Sequence, residues 1–313
     1  MKDSFNREIN YLRISVTDLC NLKCVYCVPE KGVAKRKHED IISPERIEEI
    51  VEAAAKLGIT KVRITGGEPL VRHGILEICR KIRGISGIKE LCLTTNGVLL
   101  KEMAKDLRDS GVDRLNISLD TLDPSKFSRI TRGGNIEDVL EGILEARKVG
   151  FKNTKINVVL IKNFNNNEIF DFLKFAENNG VFVRFIELMP IGQGREMGAD
   201  SFVSNEIVEK CLTNLEKIES DGVSVQYKFK DREGGIGLIS PLSNSFCKSC
   251  SRLRLTCDGK LRPCLHSSIE VDTNGLQGKE LEEALKKAIR IKPEKHHLEK
   301  GSESNKGMNE IGG

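Results

Sequence analysis

Residues 11–27 read YLRISVTDLCNLKCVYC. The opening YLRISV is a short β-branched run of the kind that forms a strand. It runs straight into a loop holding Cys20, Cys24 and Cys27, spaced C-x3-C-x2-C. Three thiols within eight residues, beside charged neighbours, are poor packing residues. A structural zinc takes four ligands and a disulfide two. Three thiolates, by contrast, can each hold one iron of a [4Fe–4S] cubane and leave the fourth iron open. A three-cysteine zinc site with a distant fourth ligand is the competing reading.

Working outward, the runs KVRIT, ELCLTT, RLNISL, KINVVLI and VRFIEL repeat the strand signal up to Leu188. Helical patterns separate them. In PERIEEIVEAAAKLG, Ile47, Ile50, Val51 and Ala54 recur at helical spacing before a glycine stop; NIEDVLEGILEARKVG repeats this with Ile136, Val139, Leu140, Ile143 and Leu144. Six β–α units in series imply parallel strands with right-handed crossovers. The polar motifs TDLCNLKC, TGGEP, TNG and SLD follow or end successive strands. Such gathering on one rim favours a barrel over an open doubly wound sheet. The expected fold class is therefore α/β, a partial (βα)6 TIM-like barrel with a C-terminal α+β segment covering the open side. Residues 1–200 form the barrel in this reading, 201–291 the covering segment and 292–313 a flexible tail ending in Gly-Gly. Within the segment, SNEIVEKCLTNLEKI and QGKELEEALKKAIR read as helices, and VSVQYKFK and GIGLIS as antiparallel strands.

The 313 residues include 50 basic and 46 acidic ones, for a net charge of +4. That imbalance is too small to call for a nucleic-acid or membrane partner. Neither an N-terminal apolar run nor a stretch of membrane-spanning length is present, so a cytoplasmic location is expected. In a reducing compartment, ten cysteines favour metal binding over disulfides.

A second cysteine group lies in SFCKSCSRLRLTCDGKLRPCLH, with Cys247, Cys250 and Cys264 spaced C-x2-C-x13-C. A zinc ribbon completed by His266 or Cys257 competes on spacing. Arg252 and Arg254, however, alternate along SRLRL and share one face of an extended segment. Lys61 with Arg63, and Lys155 with Asn157, also alternate, and Arg13 sits on the first strand. Barrel interiors are normally packed, so cations aimed inward require a bound anion. This points to a phosphorylated substrate.

C-x3-C-x-aromatic-C, with Tyr26 as the aromatic, followed by ITGGEPL at residues 64–70, resembles the signature of the radical S-adenosylmethionine (SAM) superfamily. Within it the chain is similar over nearly its full length to the GTP 3′,8-cyclase family. The resemblance rests on LRISVTDLCNLKCVYC, KVRITGGEPLVR, TTNG, NISLD, KINVV, RFIELM, SFCKSCSRLRLT, DGKLRPCL and the terminal GG.

That resemblance implies two [4Fe–4S] clusters, the SAM cluster on Cys20, Cys24 and Cys27 and a substrate cluster on Cys247, Cys250 and Cys264. It implies SAM contacts from Tyr26, Gly66, Gly67, Glu68, Thr95, Ser118 and Met189, with Glu68 pairing with the SAM ammonium. GTP would be held by Arg13, Lys61, Arg63, Lys155, Arg184, Arg252 and Arg254. Arg13, Arg252, Arg254 and the threaded Gly312 and Gly313 would complete the catalytic set. The implied reaction removes the ribose 3′ hydrogen of GTP and joins C3′ to C8 of guanine, an early step of molybdenum cofactor biosynthesis. Implied partners are an electron donor, a downstream cyclic pyranopterin monophosphate synthase and a second copy in a homodimer, with no nucleic acid and no membrane. Rival readings are a peptide-modifying radical SAM maturase and a non-enzymatic zinc-ribbon module that binds nucleic acid.

Overall fold

The computed structural model describes residues 1–32, 36–213, 215–220, 222–298, 304 and 306–311. The six expected strands are β1 (Tyr11–Ser15), β2 (Lys61–Thr65), β3 (Glu90–Thr95), β4 (Arg114–Ser118), β5 (Lys155–Leu160) and β6 (Phe182–Glu187). Each pairs in parallel with the next. Six further strands follow: β7 (Leu215–Ile218), β8 (Val225–Phe229), β9 (Gly235–Ile239), β10 (Arg252–Leu255), β11 (Lys260–Arg262) and β12 (Val271–Asp272).

The C-terminal segment does more than cover the opening. It adds a parallel strand to each edge of the sheet, β9 beside β6 and β10 beside β1. The spatial order is β12-β11-β10-β1-β2-β3-β4-β5-β6-β9-β8-β7, so the sheet is not closed. The connection from β9 to β10, residues 240–251, therefore passes from one edge to the other carrying Cys247 and Cys250.

Alternation along the strands divides their side chains. Leu12, Ile14, Val62, Ile64, Leu91, Leu93, Leu115 and Ile117 are fully buried in the apolar core. Helix Pro44–Lys56, capped by the Ser43 hydroxyl accepting from Arg46 N, buries the expected Ile47, Ile50, Val51 and Ala54 there too. Each buried Leu, Ile or Val among them stabilises the fold by about 1.5–3 kcal/mol relative to exposure. The opposite strand face carries Arg13, Lys61, Arg63, Asn116, Lys155, Asn157 and Arg184 around a cavity of about 440 Å³. The outer layer thus holds the barrel together, and the inner face is left to polar groups.

Two expectations are corrected. SNEIVEKCLTNLEKI is not one helix: among its described residues only Glu206–Glu209 is helical, while Leu215–Ile218 forms β7 against β8. Antiparallel pairing with the next strand overrides a local helical pattern there. In helix Ile136–Lys148, Ile136, Val139 and Ile143 are buried, but Leu144 is 59% exposed, one step off the apolar stripe. Among the described residues, no helix is long and apolar enough to cross a membrane.

Candidate active site

The cysteine loop is tied down from several directions. Gly67 N donates to Thr17 O at 2.7 Å, and Glu68 N to Leu19 O at 2.7 Å. Both glycines are required by that contact. A Cβ on Gly66 would lie 2.7 Å from Thr17 O, and one on Gly67 only 2.3 Å from Leu19 O. What approaches these glycines is the protein's own loop. Just past the end of β3, Asn96 Nδ2 donates to Asn21 Oδ1 at 2.7 Å and to Cys20 Sγ at 3.7 Å. Tyr26 donates to Asp120 Oδ2 at 2.6 Å, beyond the end of β4, and Asp120 Oδ1 accepts from Val159 N.

Glu68 is buried, and its carboxylate accepts from Leu70 N, Thr95 Oγ1 and Asn96 N at 2.6–3.0 Å. A carboxylate offers about four acceptor sites, so these donors orient it and leave room for one more. Burial raises Glu68 to about 7, against those hydrogen bonds. Thr95 also accepts from Gly97 N, so its hydroxyl acts through Glu68. Ser118 ends β4 opposite Asn157. Burial and then the charge of Asp120 push the Cys24 thiol well above its usual range, and burial raises Cys20.

These residues fit an iron–sulfur cluster. Cys20, Cys24 and Cys27 are reduced and half-buried. Cys20 Sγ also accepts from Leu22 N at 3.4 Å, the kind of amide–sulfur contact that tunes such clusters. Thiols raised by burial and like charge need cationic iron to become thiolates.

Cys247, Cys250 and Cys264 line the central cavity with Arg252, Arg254 and His266. Cys257 is fully buried elsewhere, its thiol pushed by burial to about 12, so the zinc ribbon completed by Cys257 does not form. Among the described residues, no three His, Cys, Asp or Glu donors converge as a single-ion site requires. Lys292 fastens the second set: its Nζ donates to Arg252 O at 2.9 Å and Pro263 O at 2.7 Å. The surroundings are cationic. Burial raises Cys250, but Lys292 and Arg252 outweigh it and bring the thiol down. Burial likewise opposes hydrogen bonds to His296 and Ser245, which bring Cys247 to about 7.

The inward cations crowd one another. Register places Arg254, Arg13 and Arg63 side by side on β10, β1 and β2. Burial, then the charge of Arg252, brings Arg254 down to about 10, and burial with Arg254 pushes Arg13 well down. Arg184 donates to Asn157 Oδ1 at 2.7 and 3.0 Å, and Lys61 pairs with Glu90 at 2.7 Å. Lys155 and Met189 complete the predicted lining. Ile311 is buried, and its carbonyl accepts from Arg254 Nη1 at 3.4 Å, so the described part of the tail reaches this centre. Gly312 and Gly313 lie outside the described residues.

Sequence reasoning missed Tyr11, Arg114, Asn116, Asp120 and Lys292. Alternation could have found the first three, since Tyr11 stands two residues from Arg13, and Arg114 two from Asn116. Nothing local marks Lys292, which works by bridging two distant carbonyls.

An incomplete parallel barrel, with three reduced thiols on its rim and a glycine–glycine–glutamate turn beneath them, defines the radical SAM class. Comparison agrees: residues 14–176 match the model of the Radical SAM superfamily, and residues 181–298 that of Molybdenum Cofactor Synthesis C. The GTP 3′,8-cyclase of Alkaliphilus metalliredigens is 48% identical over 320 residues, covering 100% of both chains. That of Peptoclostridium acidaminophilum is 48% identical over 317 residues, covering 99% of this chain and 98% of its own. By these full-length relatives the chain belongs to the GTP 3′,8-cyclase family of radical SAM enzymes. Among solved structures, Streptococcus suis SuiB bound to S-adenosylmethionine superposes with a TM-score of 0.62 at 18% identity, covering 85% of this chain and 63% of its own. Native anSMEcpe with bound AdoMet gives 0.56 at 17%, covering 90% and 83%. At such identities the likeness extends to the fold alone. The superfamily brings with it one [4Fe–4S] cluster and SAM.

Proposed function

We infer that the chain converts GTP to (8S)-3′,8-cyclo-7,8-dihydroguanosine 5′-triphosphate, acting as a lyase early in molybdenum cofactor biosynthesis. The observation that carries the substrate class is the crowding of inward cations around Arg13, which burial and the charges of Arg254, Arg252 and Arg63 push down and which a bound anion would relieve. The cluster on Cys20, Cys24 and Cys27 would supply the electron that cleaves SAM to a 5′-deoxyadenosyl radical. The chain's own residues do the rest by placement. Glu68, oriented by Thr95 and Asn96, takes the SAM ammonium; Gly66, Gly67, Tyr26, Ser118 and Met189 shape that site. Arg63, Lys61, Lys155 and Arg184 hold the triphosphate, and Arg252 and Arg254 hold the nucleoside end. Cys247, Cys250 and Cys264 would carry a second cluster. The tail, whose Ile311 carbonyl reaches Arg254, helps to keep water from the centre, and Gly312 and Gly313 belong to the catalytic set in this reading. Holding the reacting atoms in line and excluding water is the main contribution such a site makes. A cytoplasmic location, a homodimer, an electron donor and a downstream pyranopterin synthase complete the reading.

Anaerobic reconstitution tests it, followed by iron analysis and incubation with SAM, GTP and a reductant. About eight irons per chain are expected if both cysteine sets hold cubanes. 5′-Deoxyadenosine should accumulate with GTP and stay at background with ATP. Four irons, or turnover indifferent to the nucleotide, would overturn the two-cluster cyclase.

A further inference from the structure

Tyr11 occupies a place in the cavity that no assigned role explains. It opens β1, and the β1–β2 and β1–β10 registers set it opposite Lys61 and Arg252. Its hydroxyl accepts from Arg63 Nε at 2.5 Å, and Lys61 Nζ lies 5.1 Å from the centre of its ring. Having accepted from Arg63, the hydroxyl donates its own hydrogen to no acceptor among the described residues. It lines the cavity. Arg63, Arg13, Arg252 and Lys61 are the cations around it, and the nearby carboxylate of Glu90 is committed to Lys61 and Arg114.

We propose that Tyr11 is a substrate-positioning residue: its hydroxyl aims the Arg63 guanidinium and donates to an oxygen of the substrate's polyphosphate. The inference rests on the GTP reading above and extends it to a residue on a different strand from Arg63. A phenol suits this position. It accepts from Arg63 on one lone pair, which fixes the guanidinium plane, and it offers a neutral donor where another cation would add repulsion.

The surrounding charges give the arrangement a pH signature. Burial opposes ionisation of Tyr11, but Arg63, Arg13 and Arg252 outweigh it and bring the hydroxyl to about 8. The other charged groups around it are Lys61, Arg254 and, paired to Lys61, Glu90, while Cys92 on β3 acts in the opposite direction to the arginines. The sign follows from the ligand. Below about 8 the phenol is neutral and can donate to phosphate. Above it the phenolate neutralises the arginines itself, cannot donate and repels the polyanion. GTP affinity should therefore fall as pH rises through that value, and bound GTP should hold the proton on.

The test compares wild type with Tyr11→Phe, each reconstituted with iron and sulfide, by equilibrium binding of GTP and of guanosine from pH 6.5 to 9.5. Iron content and SAM binding verify that the variant is folded. At pH 7, Tyr11→Phe is expected to bind GTP about 10- to 100-fold more weakly, the scale of one hydrogen bond to a charged group. Guanosine binding should be unchanged. Wild type should lose GTP affinity above about pH 8, and the variant's profile should be flat there. An unchanged GTP affinity with the alkaline limb intact would overturn the inference and leave the substrate reading standing. Equal loss of GTP and guanosine would also overturn it, because the role would then be structural. Wild type that binds no GTP would remove the substrate reading and this inference together.

Discussion

The two cysteine sets have the same number of thiols and opposite surroundings. Cys20, Cys24 and Cys27 lie in one loop, with Glu68 and Asp120 as their buried charged neighbours. Burial and negative charge together raise Cys24. Cys247, Cys250 and Cys264 are gathered from a connection between sheet edges and from the end of β11, among Arg252, Arg254 and Lys292. There the cations bring Cys250 down despite burial. The difference teaches that charge sorts the ligands. An acidic surrounding favours a molecule with a sulfonium and an ammonium, and a basic one favours an anionic nucleotide. Three vacant-site thiols alone would not have told the two apart.

The largest effect should come from breaking one set at a time. Cys24→Ala is expected to reduce 5′-deoxyadenosine formation to background, whereas Cys250→Ala should leave SAM cleavage measurable and abolish the cyclic product. Product analysis by chromatography under both conditions would decide it. Loss of SAM cleavage in both variants would break the division of labour.

A smaller effect is expected at the acidic site. Glu68 must be ionised to take an ammonium, and burial holds it at about 7. SAM affinity should therefore rise as pH increases through that value and level off above it. Glu68→Gln should weaken SAM binding by about 10- to 100-fold at pH 8, on the scale of a charge-assisted hydrogen bond, and flatten the profile. Titration of SAM into reconstituted protein measures both; a wild-type affinity independent of pH would show that the ammonium sits elsewhere.

The smallest is Tyr26→Phe, which removes one donor from Asp120. Burial raises Asp120 to about 6, against the Tyr26 hydrogen bond, so its ionised form is the one that loses support. The variant should lose about 1–3 kcal/mol of stability at pH 8, the usual cost of removing a partner from a buried charged group. At pH 5 the loss should be smaller, because the carboxyl is then largely protonated. Denaturant unfolding at both values checks the sign; equal losses would mean the bond to Asp120 carries no charge.

Much of the barrel was legible because its signals are local. The six strands announce themselves by β-branched alternation, and helix Pro44–Lys56 by its stripe and cap. The cysteine spacings and the alternation of Lys61 with Arg63 named most of the candidate site. The edge strands were not legible as such. β9 and β10 enter the sheet in parallel with partners some fifty and more than two hundred residues away, 182–187 and 11–15, and nothing in GIGLIS or SRLRL specifies that. The predicted helix over 204–218 failed for a nearer reason, since the next strand, β8, recruits Leu215–Ile218 into an antiparallel ladder. The two glycines of GGEP stand out in the sequence only through the motif they belong to, and the structure identifies Thr17 and Leu19 of the cysteine loop as what approaches them.

The sequence by itself determined the chemistry available: two sets of three thiols, a glycine–glycine–glutamate turn, and cations spaced to share strand faces. Residue type and short spacing are properties of the chain, and they survive any arrangement of it. Only the tertiary structure decided what those groups meet. It set Arg254, Arg13 and Arg63 in one row, put Tyr11 against Arg63, and used Lys292 to staple the second thiol set. Those are contacts between residues far apart in sequence, fixed by strand register and by packing of the apolar outer layer, and the charge of each site follows from them.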